Sequence, residues 1–202
     1  MFLMKIALVG DPKKNILNKY FKFPRTKYKT AMGVDFGNID RIIEGKALRF
    51  QFWSLHPEEL YKKLSPGKLP SKKHFRNSSL KDFYVNTAAK DLQVYFAGAQ
   101  GGIVVFDTCN PESYQDIPFW IAEIWKHTSN DKIPIVISSV ISQEEKEVNT
   151  VITDEEITKL AEELGKRYGA NIRHIPVDER TGENMIPILD HLGKVYFQLI
   201  TR

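Results

Sequence analysis

Apolar and polar residues alternate along this chain with a period that changes several times. Short runs rich in β-branched and aromatic residues, each bounded by turn residues, predict six strands: Lys5–Val9, Asp35–Ile43, Leu48–Trp53, Gly102–Asp107, Ile133–Ser138 and Asn171–Pro176. Between them, apolar residues at helical spacing predict four helices: Asn15–Phe21, Pro111–His127, Thr153–Tyr168 and Glu183–Leu199. Strands that alternate with helices predict an α/β fold with a mostly parallel sheet that is covered on both faces.

The predicted helix Pro111–His127 has the clearest start signal in the chain. Asn110 can cap its first turn, Pro111 suits the first helical position, and Glu112 favours the helix dipole. The apolar residues of this helix fall on one face, which predicts that they belong to the core: Ile117, Trp120, Ile121, Ile124 and Trp125.

Two stretches depart from the simple alternation of strand and helix. "IIEGKALRFQFW" places two strand-like runs around Glu44-Gly45-Lys46 and predicts an antiparallel hairpin. Residues 55–92 are rich in proline, serine and lysine and are predicted to be a basic inserted segment. We therefore expect one domain over residues 1–202 that carries this insertion.

Composition favours a soluble protein of the cytoplasm. The chain has 202 residues, of which 42% are hydrophobic and 27% charged, which suits one well-buried core. Neither a membrane-spanning run nor a signal peptide is expected from the sequence. The single cysteine, Cys109, fits a reducing compartment and is predicted to be a buried or half-buried structural thiol.

The net charge of +4 is unevenly distributed. Residues 13–29 contain seven basic side chains and no acidic one, and residues 61–92 contain eight basic side chains and two acidic ones. Such asymmetry favours an anionic partner, although solvated loops would show the same pattern. The five histidines lack the spacing of a zinc site, and no serine motif accompanies His174 and Asp178.

A series of short motifs runs through nearly the whole chain outside residues 55–92. In order they are "KIALVGD", "ILNKY", "MGVDF", "GKALRFQFW", "GAQGGIVVFDTCNPESY", "IPIVIS" and "RTGEN". In this order and spacing, the chain resembles the Ras-like small GTPases, and the Rab branch most of all. The resemblance implies a three-layer P-loop fold, with a six-stranded sheet whose second strand is antiparallel and with five helices.

The nucleotide motifs of that family are altered in this chain. A phosphate loop needs G-x-x-x-x-G-K-[ST], whose backbone N–H groups surround the phosphates. Aligned on the first helix, Lys13 and Lys14 stand at the lysine and hydroxyl positions, so Gly10 lies three steps from the lysine where the motif needs six. Pro12 has no N–H to donate.

The remaining family motifs also differ. Ala31 stands where the family has a threonine that ligates Mg²⁺, although Thr30 is adjacent and a shift of register would restore it. Glu58 stands at the position of the glutamine that orients the attacking water. The positions that normally read guanine are Val140, Ile141, Ser142 and Gln143. From these differences we expect a pseudo-GTPase with a degenerate Walker A motif, no catalytic residue, no metal and no cofactor.

The resemblance then implies a non-catalytic interaction or scaffold module, in trafficking or in a multisubunit complex. Its partner would be an acidic protein that binds the switch-like surface and the insertion through basic side chains: Lys22, Arg25, Lys27, Lys29, Lys62, Lys63, Lys72, Lys73 and Arg76. An anionic membrane surface is a second partner consistent with this charge, and nucleic acid is a less favoured one. The alternative function is an atypical small GTPase that binds GTP or GDP with Mg²⁺ through Gly10, Asp11, Lys13, Lys14 and Thr30.

Overall fold

The computed structural model describes residues 1–11, 15–20, 34–55, 89–128, 132–141, 152–178 and 181–201. Within these ranges the strands are β1 (Phe2–Gly10), β2 (Val34–Ile43), β3 (Lys46–Leu55), β4 (Gly101–Asp107), β5 (Pro134–Ile141), β6 (Asn171–His174) and β7 (Val177–Asp178). The helices are α1 (Asn15–Tyr20), α2 (Ala89–Phe96), α3 (Pro111–Gln115), α4 (Ile117–His127), α5 (Asp154–Tyr168) and α6 (Met185–Ile200). The predicted α/β class, with a mostly parallel sheet and one antiparallel pair, is confirmed.

All seven strands form one sheet in the order β2-β3-β1-β4-β5-β6, with β7 paired to β5 beyond the end of β6. β1 lies parallel to β3, from Phe2 opposite Leu48, and parallel to β4, up to Gly10 opposite Val105. Because these strands are parallel, they all start at one edge of the sheet, the amino edge, and finish at the other, the carboxyl edge. The helices that connect them carry the chain back to the amino edge.

The sheet has one strand more than the six expected. The predicted strand Asn171–Pro176 ends at His174, and the chain pairs with β5 again only at Val177. Pro176 lies in the gap and has no N–H for the ladder, which accounts for the interruption.

The β2–β3 hairpin lies where the sequence predicts it. Its register runs from Val34 opposite Leu55 to Ile43 opposite Lys46. The two turn residues, Glu44 and Gly45, have φ angles of 49° and 75°. Two consecutive positive φ values are typical of the type I′ turn, whose twist matches that of an antiparallel pair.

Two hydrophobic clusters hold the layers together, one on each face of the sheet. α2, α4 and α5 cover one face, and α1 and α6 cover the other. The predicted core residues of α4 are confirmed as buried: Ile117, Trp120, Ile121 and Ile124. The prediction is wrong for Trp125, which is 37% exposed and packs against the Tyr168 ring at 5.3 Å.

The predicted single helix Pro111–His127 is wrong, because it is two helices that meet at Asp116. Pro118 lies near the start of α4, where its missing N–H leaves no unmet hydrogen bond, whereas inside a continuous helix it would break one. The predicted cap at Asn110 is confirmed, since its Oδ1 accepts from the backbone N–H groups of Glu112 and Ser113.

α2 is a helix that the sequence pattern does not predict, and it occupies the end of the stretch interpreted as an insertion. Tyr95 and Phe96 of α2 are fully buried against the sheet. The Tyr95 hydroxyl lies 3.1 Å from both the N–H and the carbonyl oxygen of Leu8, and it also contacts the carbonyl oxygen of Trp53. The rest of the predicted insertion, residues 56–88, lies outside the described residues, so the insertion stays a prediction.

The side chain of Lys5 in β1 contacts the end of α2. Its Nζ donates to the carbonyl oxygen of Ala97 at 2.7 Å and lies 3.7 Å from the centre of the Trp53 ring. Partial burial lowers the pKa of Lys5 from 10.5 to about 8. The carbonyl and the ring face both favour the charged ammonium and so oppose this shift.

Candidate functional site

The end of β1 bends sharply against β4. Gly10 has a φ of +103°, and a Cβ at this position would lie 2.0 Å from the carbonyl oxygen of Val105. The next residue, Asp11, donates its backbone N–H to that same oxygen at 2.8 Å. Only glycine combines this φ with such close backbone approach, so Gly10 sets the direction in which the chain leaves the sheet toward α1.

Asn110 ties this bend to the loop that follows β4. Its Nδ2 donates to Oδ2 of Asp11 at 3.3 Å, while its Oδ1 caps α3 through Glu112 and Ser113. Asp11 is 7% exposed, so the residue is largely shielded from solvent. One side-chain amide therefore fixes two loops that are 99 residues apart in sequence.

The turn after β4 is held by hydrogen bonds of its own. The Asp107 carboxylate accepts from the backbone N–H of Cys109 at 2.9 Å, and Ser113 Oγ accepts from the backbone N–H of Asp107 at 3.0 Å. Thr108 donates its backbone N–H to Val140 of β5 at 3.4 Å. The loop is thereby fixed at the carboxyl edge beside β1 and β5. The predicted half-buried state of Cys109 is confirmed.

A third loop, between β7 and α6, completes this edge. Asp178 accepts from the backbone N–H of Thr181 at 2.8 Å through its side chain, and from that of Gly182 at 2.9 Å through its carbonyl. A Cβ on Gly182 would lie 2.3 Å from the Tyr20 ring, so this loop packs directly on α1. The loops after β1 and β4 therefore meet at the carboxyl edge, where open α/β sheets bind their ligands, and the loop after β7 packs on the neighbouring helix α1.

His174 lies next to a serine and an aspartate, but this arrangement is not a hydrolytic triad. Ser139 Oγ is 2.8 Å and Asp154 Oδ1 is 3.9 Å from the same ring nitrogen, Nε2. A triad needs the serine and the acid on opposite ring nitrogens, and its serine must be reachable, whereas Ser139 is fully buried. The arrangement instead joins β5, β6 and the start of α5.

Only part of the predicted nucleotide set lies in the described residues. Gly10 and Asp11 are at the carboxyl edge as expected, and Asn110 is the added residue that sequence reasoning missed. Its capping role is visible in the sequence, but no sequence signal indicates its contact with Asp11. The other predicted site residues lie outside the described ranges and stay predictions: Lys13, Lys14 and Thr30 for the nucleotide, and Lys22, Arg25, Lys27, Lys29, Lys62, Lys63, Lys72, Lys73 and Arg76 for a partner.

Comparison with known proteins shows weak similarity to one family over part of this chain. The family model described as Ras family matches residues 87–171. The chain is 21% identical over 142 residues to Ras-related protein RABA2a of Arabidopsis thaliana, covering 68% of this chain and 53% of that protein. It is 24% identical over 165 residues to Ras-related protein Rab-11C of Dictyostelium discoideum, covering 80% of this chain and 60% of that protein. The chain thus spans between half and two thirds of the length of these relatives.

These matches contradict two predictions made from the sequence. Ras and Rab proteins bind GTP or GDP with Mg²⁺ and hydrolyse GTP, so the predictions that the chain is no enzyme and takes no cofactor are wrong. Both predictions relied on the altered nucleotide motifs, among them the shortened loop after Gly10. Around that loop, Gly10, Asp11 and Asn110 still join β1 to β4 at the carboxyl edge.

Proposed function

We propose that this chain, whose fold and sequence matches support a Ras-like small GTPase of the Rab branch, is an atypical member that binds GTP or GDP with altered affinity and altered hydrolysis. The observation that carries the proposal is the bend at Gly10–Asp11, locked to Val105 and Asn110 at the carboxyl edge. A sheet that brings the loops after β1 and β4 together at this edge provides the usual position for a nucleotide in this architecture.

The phosphates would meet fewer backbone donors than in a standard phosphate loop. Only three residues separate Asp11 from α1, and one of them is Pro12, which has no N–H. Each charge-assisted hydrogen bond lost costs about 1.5 to 3 kcal/mol, so losing three weakens binding by about a thousandfold or more. The side chains of Lys13 and Lys14 would supply the remaining attraction, which makes the affinity depend strongly on salt.

Mg²⁺ prefers oxygen ligands, and this edge offers the carboxylates of Asp11 and Asp107. Groups of three or more histidine, cysteine or acidic side chains that could hold a metal are absent among the described residues. The ion would therefore be held by one or two protein oxygens together with nucleotide phosphates and water, as is usual for Mg²⁺. Thr30 is the hydroxyl that the sequence offers for this role.

The base would be read less selectively than in the relatives. Val140 aligns with the first guanine-reading position, but it is fully buried and pairs with Val177 in the sheet. Base contacts would then come from the loop that carries Thr181 and Gly182, mostly through its backbone. Backbone groups distinguish guanine from adenine poorly compared with a dedicated carboxylate.

The test measures nucleotide content, binding and turnover in the full chain. We expect GTP and GDP with Mg²⁺ to raise the melting temperature, ATP to raise it by a similar amount, and GTP to be hydrolysed slowly. The paired substitution Lys13→Gln with Lys14→Gln should abolish the thermal shift. Lys19→Gln removes an exposed charge from the last turn of α1 and should leave the shift unchanged. Absence of a shift with every nucleotide, in a sample that holds none after purification, refutes the proposal.

A second part of the proposal concerns a protein partner at the β2–β3 side of the sheet. Phe36 and Trp53 form an edge-to-face pair at 4.7 Å, and both side chains stay partly accessible. Half-buried aromatic side chains are typical of interface cores. The basic residues predicted to surround this surface would select an acidic partner, and a cytoplasmic location in a complex follows from the same proposal.

Charge variants test the partner directly. We expect capture of a protein partner to fall when Lys72 and Lys73 are changed to glutamate together. Lys159→Glu and Lys194→Glu, which lie on α5 and α6, serve as a matched control for added negative charge. Equal capture by the two sets of variants would show that these lysines do not select the partner.

A further inference from the structure

Exposed apolar side chains are concentrated at the amino edge of the sheet, opposite the candidate nucleotide site. Of the eight large apolar residues that are strongly exposed in the described ranges, six lie at this edge: Met1, Phe2, Leu3, Ile42, Trp125 and Ile200. The exposed fractions of Ile42 and Leu3 are 74% and 50%. Concentrations of exposed apolar side chains are typical of surfaces that bind a protein or a membrane.

Contacts between these residues and their neighbours form two halves. In the first half, the Phe2 ring meets the Phe197 ring at 5.2 Å, and Tyr196 donates its hydroxyl to the carbonyl oxygen of Leu3 at 3.2 Å. Ile42 of the hairpin lies at the same edge, on the face of the sheet opposite that of Ile43. In the second half, Trp125 of α4 packs on Tyr168 of α5, and both rings lie near the ends of their helices.

A shallow apolar cavity lies beside the first half, where Tyr196 forms part of its lining. Its volume is about 290 Å³, and its lining comes from the loop after α2, the residue before β5 and the end of α6: Gly98, Ala99, Gln100, Ile133, Tyr196, Leu199 and Ile200. This volume is that of a short alkyl segment and too small for a folded element. The cavity therefore gives the amino edge one place where an apolar chain can enter.

The charges at this edge are mainly positive. The described basic residues here are Lys46, Arg49, Lys126, Lys132, Lys166 and Arg167, and the acidic ones are Asp40, Glu44 and Glu123. Asp40 pairs with Arg49 at 2.6 Å, and Glu123 pairs with Lys126 at 3.8 Å. The first turn of α5, at the opposite edge, is acidic. Basic residues at helix ends also complement the helix dipole, but that does not account for the exposed apolar side chains.

We propose that the amino edge is a surface that docks on anionic lipid membranes. Aliphatic and aromatic side chains that project beside lysine and arginine match the apolar boundary and the negative head groups of a bilayer. The Lys46 ammonium lies 4.9 Å above the Phe197 ring, so charge and apolar surface are in direct contact here. None of the described helices is long and apolar enough to cross a membrane.

A membrane explains the composition of this edge better than a nucleic acid or an acidic protein does. Bases stack on aromatic side chains, and aliphatic residues such as Leu3, Ile42 and Ile200 offer them little. An acidic protein would have to present apolar groups that match these projecting side chains in shape, whereas a bilayer offers an apolar boundary wherever they enter. Insertion of these groups into the acyl boundary uses both features at once.

The experiment is flotation of the full chain with vesicles of phosphatidylcholine, alone or with about 30% phosphatidylserine as the anionic lipid. We expect binding to the anionic vesicles only, weakened by salt. Ile200→Glu should weaken binding about tenfold, since it replaces a side chain that enters the boundary by a charge. Ile186→Glu is the matched control, because it changes an equally exposed isoleucine at the other end of the same helix.

The charge term has a matched pair on α5. Lys166→Glu should weaken binding at least about fivefold, the effect of one cation near the bilayer surface, whereas Lys159→Glu, farther from the edge on the same helix, should change it less than about twofold. Circular dichroism of each variant checks that the fold is kept. Equal binding to neutral and anionic vesicles, or equal effects of Ile186→Glu and Ile200→Glu, overturns the proposal. The same variants are also tested for binding to polyglutamate and to RNA. If they lose that binding while vesicle binding is unchanged, the proposal is also overturned.

Discussion

Replacing Tyr95 by phenylalanine tests how α2 is attached to the sheet. The substitution keeps the buried ring and removes only the hydroxyl, which lies 3.1 Å from both the N–H and the carbonyl oxygen of Leu8 and also contacts Trp53. Loss of one net hydrogen bond costs about 0.5 to 1.5 kcal/mol, and a buried backbone group left without its partner adds about 1 to 3 kcal/mol. We therefore expect the free energy of unfolding to fall by about 2 to 4 kcal/mol.

Urea unfolding followed by fluorescence measures this change, and thermal unfolding should show a drop of about 4 to 16 °C for a chain of this length. Tyr196→Phe is the control, because its hydroxyl makes a half-buried bond to Leu3 and should cost about 0.5 to 1.5 kcal/mol. Burial also raises the pKa of Tyr95, so its ring should stay un-ionised while exposed tyrosines titrate in alkali. If Tyr95→Phe costs no more than Tyr196→Phe, the hydroxyl does not anchor α2.

Three further predictions follow from backbone geometry, histidine burial and capping. Gly10→Ala should lower the free energy of unfolding in urea by at least about 3 kcal/mol, because it adds a clash with the β4 backbone to the strain of a positive φ. Gly45→Ala is the control: it has the same kind of strain but open space around the new methyl group, and it should cost about 1 kcal/mol. Burial lowers the pKa of His174 below its unfolded value of 6.5, although Asp154 opposes the shift. As the pH drops below 6.5, the unfolded chain therefore binds a proton before the folded chain does, and the stability of the fold should decrease. Melting temperatures from pH 7 to 5 should fall less steeply in His174→Gln, and an unchanged slope would contradict this. Thr153→Ala should lower the melting temperature by about 2 to 4 °C through loss of the capping box of α5. Thr158→Ala, which removes an exposed threonine inside α5, is the control, and an equal drop in its melting temperature would contradict the capping effect.

The central strands were predictable because their sequence permits little else. β4 is buried along its whole length and reads as a continuous apolar run, and the hairpin follows from a turn sequence that tolerates two positive φ values. The division between α3 and α4 was missed because a proline near a helix start is allowed, and the pattern alone does not show whether Pro118 starts a helix or interrupts one. α2 was missed because its flanking composition resembles that of a loop.

The candidate site was only partly predictable for a different reason. A glycine after a β-branched run indicates a bend, so Gly10 could be identified from local sequence. The partner of Asp11 could not, since Asn110 reaches it only after β1 and β4 are placed side by side. Trp125 shows the opposite error. Helical spacing assigns it to the apolar face of α4, but this end of the face is only partly covered, so the side chain stays 37% exposed beside Tyr168.

The position of Asn110 before a proline also affects its deamidation. Asparagine side chains convert to aspartate when the backbone nitrogen of the next residue attacks the side-chain carbonyl, and the product here would place a second carboxylate against Asp11. Pro111, the next residue, has no N–H with which to close that ring. The proline that starts α3 thus protects the amide that joins the two loops, and the link between them should outlast amides followed by glycine or serine.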